Sequence, residues 1–166
     1  RDHYRLRNLK MYKTGNRKVR QWFVEVASEL GMQPTTEGGL AMKHGLTQII
    51  DGFAGHEHAL PAVPLYKDVV ELMHKSRVGY TLTLLITNGG YEGQDYFISR
   101  DDPQSDAKVN SFWPRFVING KFYEQTWRSP SLYMFPATAE STNRIVQAGG
   151  LLGIGAHGEA PGIGTH

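Results

Sequence analysis

Gly55–Thr87 reads GHEHALPAVPLYKDVVELMHKSRVGYTLTLLIT, and three patterns follow one another within it. Gly55–His58 opens as a short strand that ends in polar residues. From about Pro64 to Lys75 the apolar residues Leu65, Val69, Leu72 and Met73 recur at helical spacing, with Pro64 at an early position where its missing N–H costs nothing. Tyr80–Thr87 alternates threonine and aliphatic residues and is the most β-like run of the chain. Strand, helix and strand with no hairpin turn between them make a βαβ unit, and βαβ units build parallel sheets.

The same alternation extends in both directions. Upstream lie a strand at Arg7–Tyr12, a helix at Asn16–Leu30, a strand at Met32–Thr36 and a weak helix around Leu46–Ile50. The first helix is the clearest. Val19, Trp22, Phe23, Val26, Ala27 and Leu30 form one apolar stripe, Asn16 is placed as N-cap and Gly31 as the terminating residue. Downstream, a helix over Ala137–Ala148 stops at Gly149-Gly150 and a strand follows over Leu151–Ala156. Between them Asn88–Phe135 reads as one long irregular stretch rich in aromatic residues, Tyr91, Tyr96, Trp113, Phe116 and Trp127 among them. A loop of that length is functional or separately folded. It is either a small subdomain packing its own aromatics or a wall over the strand ends.

Composition removes several function classes. The chain has 166 residues, enough for one domain with its own core. A net charge of +2 from scattered residues argues against nucleic acid as a partner. No apolar run approaches the ~18 residues of a membrane span, and no signal peptide is visible. With no cysteine there is no disulfide and no thiolate ligand, so any metal must be held by nitrogen and oxygen. The chain starts at Arg1 rather than Met and stops inside a glycine-rich motif, which reads as a piece of a longer protein.

The informative polar residues cluster at the ends of the expected strands. Lys10 sits within Leu9-Lys10-Met11-Tyr12, Glu37 precedes Gly38-Gly39, and His58 closes the third strand. His157 follows the last strand, with Glu159 and His166 soon after. C-terminal strand ends converge on one crevice in parallel α/β folds, and active sites sit there. Alone, each residue has an ordinary role: a snorkelling lysine, a turn-capping carboxylate, a satisfied structural histidine. The joint pattern makes a metal site the first hypothesis. His56 and His58 share a face by the period of two, whereas His44 and His74 read as surface residues near helices.

These residues reach a family. Leu9-Lys10-Met11-Tyr12, Glu37-Gly38-Gly39, Asp51-Gly52 through Glu57-His58-Ala59-Leu60-Pro61, Leu65–Leu72 and Gly155-Ala156-His157-Gly158 resemble the second half of an amidohydrolase-superfamily (β/α)8 barrel. The resemblance is to the metal-dependent prolidase and imidazolonepropionase-like branch, and within it to modules that follow a β-propeller in large bacterial proteins. It implies a partial TIM-type barrel comprising strands four to eight, in a single truncated domain over residues 1–166 with an insertion over about 88–135. It implies a fourth-strand lysine at Lys10 that bridges two metals when carboxylated, a fifth-strand ligand at Glu37, a sixth-strand ligand at His58 and an eighth-strand ligand at His157. Glu37 stands where the family usually has histidine, and His157 where it has aspartate. The first-strand His-x-His pair of the superfamily has no counterpart here.

The activity so implied is metal-assisted hydrolysis of a C–N bond in an amide, cyclic amide or peptide-like substrate. One or two divalent ions, zinc first, would activate water. His157 or Glu159 would take the water proton, and Tyr91 and His166 are candidate substrate contacts. An N-terminal β-propeller in the full protein and a periplasmic or secreted address follow from the same resemblance. Two alternatives remain open at this point: a non-catalytic barrel serving as scaffold or binding module, and a doubly wound sheet with the histidine cluster at a switch point.

Overall fold

Among the described residues every strand runs parallel to its neighbour, and each pairs with the next strand along the chain. The computed structural model describes residues 3–12, 15–38, 41–84, 90–102, 104–124 and 128–155, without the side chains of residues 90–94 and 124. Within these, β1 (Asn8–Met11), β2 (Gln33–Thr36), β3 (Gly55–His56), β4 (Gly79–Leu82) and β5 (Leu151–Ile154) form one sheet in the order β1-β2-β3-β4-β5. The helices α1 (Arg17–Glu29), α2 (Met42–Ile50) and α3 (Lys67–Ser76) alternate with the first four strands. Three more helices, α4 (Gly90–Arg100), α5 (Ala107–Phe112) and α6 (Arg115–Glu124), come before α7 (Phe135–Gln147) and β5. A doubly wound sheet reverses its strand order at a switch point, and this order has no reversal among the described residues.

The register assigns a face to every strand residue. Met11, Thr36, His56, Tyr80 and Leu152 pair across the sheet in one row. At the centre of that row His56 and Tyr80 are buried against the helix layer, where Ile49 of α2, Val69 and Met73 of α3 and Ile145 of α7 join Tyr80 and Leu82 in the core. The neighbouring row, Lys10, Thr35, Gly55 and Gly79, faces the other side. Thr35, Gly55 and Gly79 keep its middle small, and a Cβ at Gly55 would lie 2.8 Å from the Thr35 methyl.

Local signals fix the helix ends. Asn16 Oδ1 accepts from Val19 N at 3.1 Å, and Gly31 leaves α1 at φ +62°. Asp106 caps α5 through Val109 N at 2.8 Å. At the other end of α2, the Asp51 carboxylate takes Arg17 Nη2 at 2.8 Å and Gln21 Nε2 at 3.1 Å, tying α1 to α2.

Two expectations are corrected here. The apolar stripe of α1 does not all face inward: Ala27 is buried and Phe23 stacks on Phe53, but Val19, Trp22, Val26 and Leu30 are exposed. The inward face is completed instead by Arg20, whose stem packs while its guanidinium donates to the Gly15 carbonyl. The stretch Asn88–Phe135 is not irregular but largely helical, carrying α4, α5, α6 and a 3-10 turn at Pro130–Leu132. Tyr96, Phe97, Tyr133 and Phe135 pack on one another within it, with ring centroids 4.7 to 5.6 Å apart, while Phe112, Phe116 and Tyr123 are exposed.

Tyr80 pins the segment after β3 to β4. Its hydroxyl accepts from Leu60 N at 2.7 Å in a buried position, and burial pushes the phenol up to about 12. Replacing Tyr80 by Phe removes that acceptor and keeps the ring. The expected loss is about 1–3 kcal/mol in denaturant unfolding, with the sheet retained by circular dichroism.

Candidate functional site

Three strands deliver polar side chains to one point at their C-terminal edge. Lys10 is next to last in β1, Glu37 follows β2 directly, and Glu57 and His58 follow β3. The parallel ladder continues past the strand ends, with Glu37 N donating to Met11 O at 3.3 Å and Glu57 N to Thr36 O at 3.1 Å. That continuation holds the three backbones side by side. Lys10 Nζ lies 2.5 Å from Glu37 Oε2 and 2.8 Å from Glu57 Oε2, and His58 Nε2 lies 2.5 Å from Glu37 Oε1. Glu37 is thus shared between a lysine and a histidine, one on each oxygen.

The electrostatics follow from these contacts. Burial alone would push the Glu37 carboxyl up, but hydrogen bonds from Lys10 and His58 outweigh it and hold the group below its ordinary value. Hydrogen bonds to Glu37 and then Glu57 raise Lys10 above the ordinary lysine value. Lys10 is a charge-assisted donor to both carboxylates, the stronger kind of hydrogen bond.

His56 does something else. It lies under α2 with no exposed surface, and its Nδ1 is 3.0 Å from the His58 carbonyl. A carbonyl only accepts, so Nδ1 carries a proton, and burial keeps the ring neutral. The far edge of the ring fits where two glycines leave room: an added Cβ at Gly38 would be 2.6 Å from His56 Cε1, and one at Gly45 would be 3.1 Å from Nε2. Among the described residues Nε2 has no hydrogen-bond partner. Beside it Thr36 Oγ1 receives Gln48 Nε2 at 2.6 Å and Gly38 N at 3.3 Å, anchoring the turn that follows Glu37. Burial drives the His56 imidazole down to about 4.

Of the site residues expected from sequence, Lys10, Glu37 and His58 come together. His56 and His58 do not act as one face: the strand ends at His56, which points into the helix layer, while His58 turns to Glu37. Glu57 is not among the site residues expected from sequence, and the structure pairs it with Lys10. Its signal was available, since a carboxylate one residue beyond a strand end can reach a lysine two strands away. His157, Glu159 and His166 lie outside the described residues, and Tyr91 falls on α4 where only the backbone is described. His44 and His74 are half-buried rather than on the surface, and burial, then the Arg20 charge, lowers His44. Among the described residues no three His, Cys, Asp or Glu side chains already form a metal cradle.

Two measurements probe the support of this site. His56 is depressed from 6.5 to about 4, so the unfolded chain binds its proton first. Stability from its neutral burial is fully present above pH ~6.5 and falls as pH drops towards ~4, by about 3 kcal/mol in all. Denaturant melts between pH 7 and 4 should show this slope, and His56→Gln should flatten it. Gly38 adopts φ +80° against the His56 ring, so Gly38→Ala should cost about 1–3 kcal/mol in the same assay.

No protein-family model, curated protein or solved structure matches this chain.

Proposed function

We propose that this chain is part of a metal-dependent hydrolase of the amidohydrolase type, acting on C–N bonds in amides, cyclic amides or peptide-like substrates. β1–β5 would be the fourth to eighth strands of a (β/α)8 barrel, with α4–α6 an insertion after the seventh. The observation that carries the reading is the meeting of Lys10, Glu37 and His58 from three successive strands at the C-terminal edge of the sheet. Active sites of parallel α/β folds occupy that edge. The strand order β1-β2-β3-β4-β5 is also the order that a barrel requires.

The donor set suits a divalent ion. Glu37 and Glu57 already hold one positive charge between them, the Lys10 ammonium, so both carboxylates are turned towards a shared cation. Carboxylate oxygen and imidazole nitrogen are zinc ligands. Glu37 and His58 would hold the ion, Lys10 would join them on carboxylation, and His157 would complete the set from beyond the described residues. A bound zinc ion supplies an activated water, with its pKa near ~7 in favourable sites, and a polarised substrate carbonyl. Glu159 would accept and return the proton, or His157 where it is not itself a ligand. A propeller module on the same polypeptide and a periplasmic or secreted setting go with this reading.

One observation favours a second reading. The Lys10–Glu37–Glu57–His58 cluster pairs its members with one another and ties three strand mouths together. A barrel used as a scaffold or binding module needs no more than that.

Metal analysis separates the two. Protein purified without chelators should retain divalent metal, and Glu37→Gln and His58→Ala should each weaken zinc binding by about tenfold or more. The complete polypeptide, with the first-strand ligands in place, should hydrolyse members of an amide, cyclic-amide and dipeptide panel, whereas this 166-residue piece alone should not. No metal, together with affinities that neither substitution changes, would leave the scaffold reading standing.

A further inference from the structure

Glu37 has two carboxylate oxygens and both are engaged. Oε1 pairs with His58 Nε2 and Oε2 with Lys10 Nζ, each at 2.5 Å. A divalent ion approaching Glu37 therefore meets a like charge, the Lys10 ammonium, at hydrogen-bond distance from the same oxygen. Two cations that close repel, and one must move. Burial decides which groups are free to. The Glu37 and His58 side chains are 12% and 14% exposed, whereas Lys10 is 46% exposed on a flexible four-carbon stem. Lys10 also has somewhere to go, since Glu57 Oε2 already shares it at 2.8 Å and is itself 33% exposed.

The geometry points to Lys10 as a built-in counter-cation that competes with a divalent metal ion for Glu37 Oε2, with Glu57 as the carboxylate that retains the displaced ammonium. This rests on the reading above that Glu37 and His58 hold a metal ion, takes Lys10 as the ammonium in place of the carboxylated ligand, and gives Glu57 a role that the resemblance does not assign. The ammonium form of Lys10 works against metal occupancy, and Glu57 sets how readily it yields. Each carboxylate keeps a cation beside it in both states: the shared ammonium when the metal is absent, the metal at Glu37 and the ammonium at Glu57 when it is bound.

The test is calorimetric titration of the protein with zinc chloride, comparing wild type with Lys10→Met, Lys10→Gln and Glu57→Gln after circular dichroism has established that each is folded. Removing the competing charge in Lys10→Met should tighten zinc binding by roughly 3- to 30-fold, the range for one unit charge at a partly exposed site. Lys10→Gln carries the same expectation should the methionine variant fail to fold. Glu57→Gln, which leaves the ammonium with Glu37 alone, should weaken binding by roughly threefold or more. Lys10 variants that bind zinc as wild type does, or more weakly, overturn the inference and leave the metal reading intact. Wild-type binding that tightens with added bicarbonate, while the Lys10 variants bind weakly and do not respond, overturns it too and makes Lys10 a carboxylated ligand. If no form binds zinc, the metal reading itself falls and the competition falls with it.

Discussion

The neutral imidazole of His56 is the part on which the strand mouths depend. It occupies the row Thr36–His56–Tyr80 on the helix side of the sheet, under α2, in space that Gly38 and Gly45 leave open. Its Nδ1–H holds the carbonyl of His58, so a group buried on one side of the sheet sets the backbone of a residue that works at the edge. Tyr80, next in the row, holds Leu60 two residues further on. The segment that carries Glu57 and His58 is therefore fastened from beneath by two buried side chains. It does not rely on its own turn propensity. A site supported in this way keeps its geometry because its supports are packed.

The exposed half of the cluster is balanced differently. Glu37 is held below its ordinary value, so the stability it contributes is present above the unfolded carboxyl value and is lost as pH falls through the folded one. Lys10 is raised, so its contribution is present below the unfolded lysine value and is lost as pH rises through the folded one. The two windows overlap over the neutral range, where the ion pair is complete. His56 adds its own loss on the acid side alone. The strand mouth is thus more sensitive to acid than to base, although its most visible feature is a lysine between two glutamates.

The order of elements was legible because period and punctuation agreed. All five strands and the helices α1, α2, α3 and α7 fall where alternation, the Asn16 cap, Pro64 and Gly149-Gly150 indicate, with ends shifted by a few residues. Lys10, Glu37 and His58 were legible as a set because each follows or ends a strand, and parallel strands bring like ends together. Three things were not legible, for identifiable reasons. The period of two placed His56 and His58 on one face, but β3 lasts only two residues, and beyond it the backbone no longer alternates. The aromatics of 88–135 masked short helices, because α5 and α6 lack a clean apolar stripe: Phe112, Phe116 and Tyr123 point out. The stripe on α1 was real, but pattern shows only that residues share a face, and the sheet covers the flank with Phe23 and Ala27 rather than the one with Trp22 and Val26.

The sequential strand order also governs how the chain can assemble itself. β1 to β4 each find their partner across one short helix, so those pairings close modest loops. β5 must return to Gly79 from beyond α4, α5, α6 and α7 to pair at Leu151. That is the largest closure entropy in the sheet, and it comes before the contacts that reward it. Ile145 of α7 sits in the same core as Tyr80 and Leu82, so docking of α7 brings the end of the helix to within one turn of the strand it feeds. Among the described strands the β4–β5 pair therefore joins the most distant stretches of chain, and α7, through Ile145, ties that return to the core that β4 already shares.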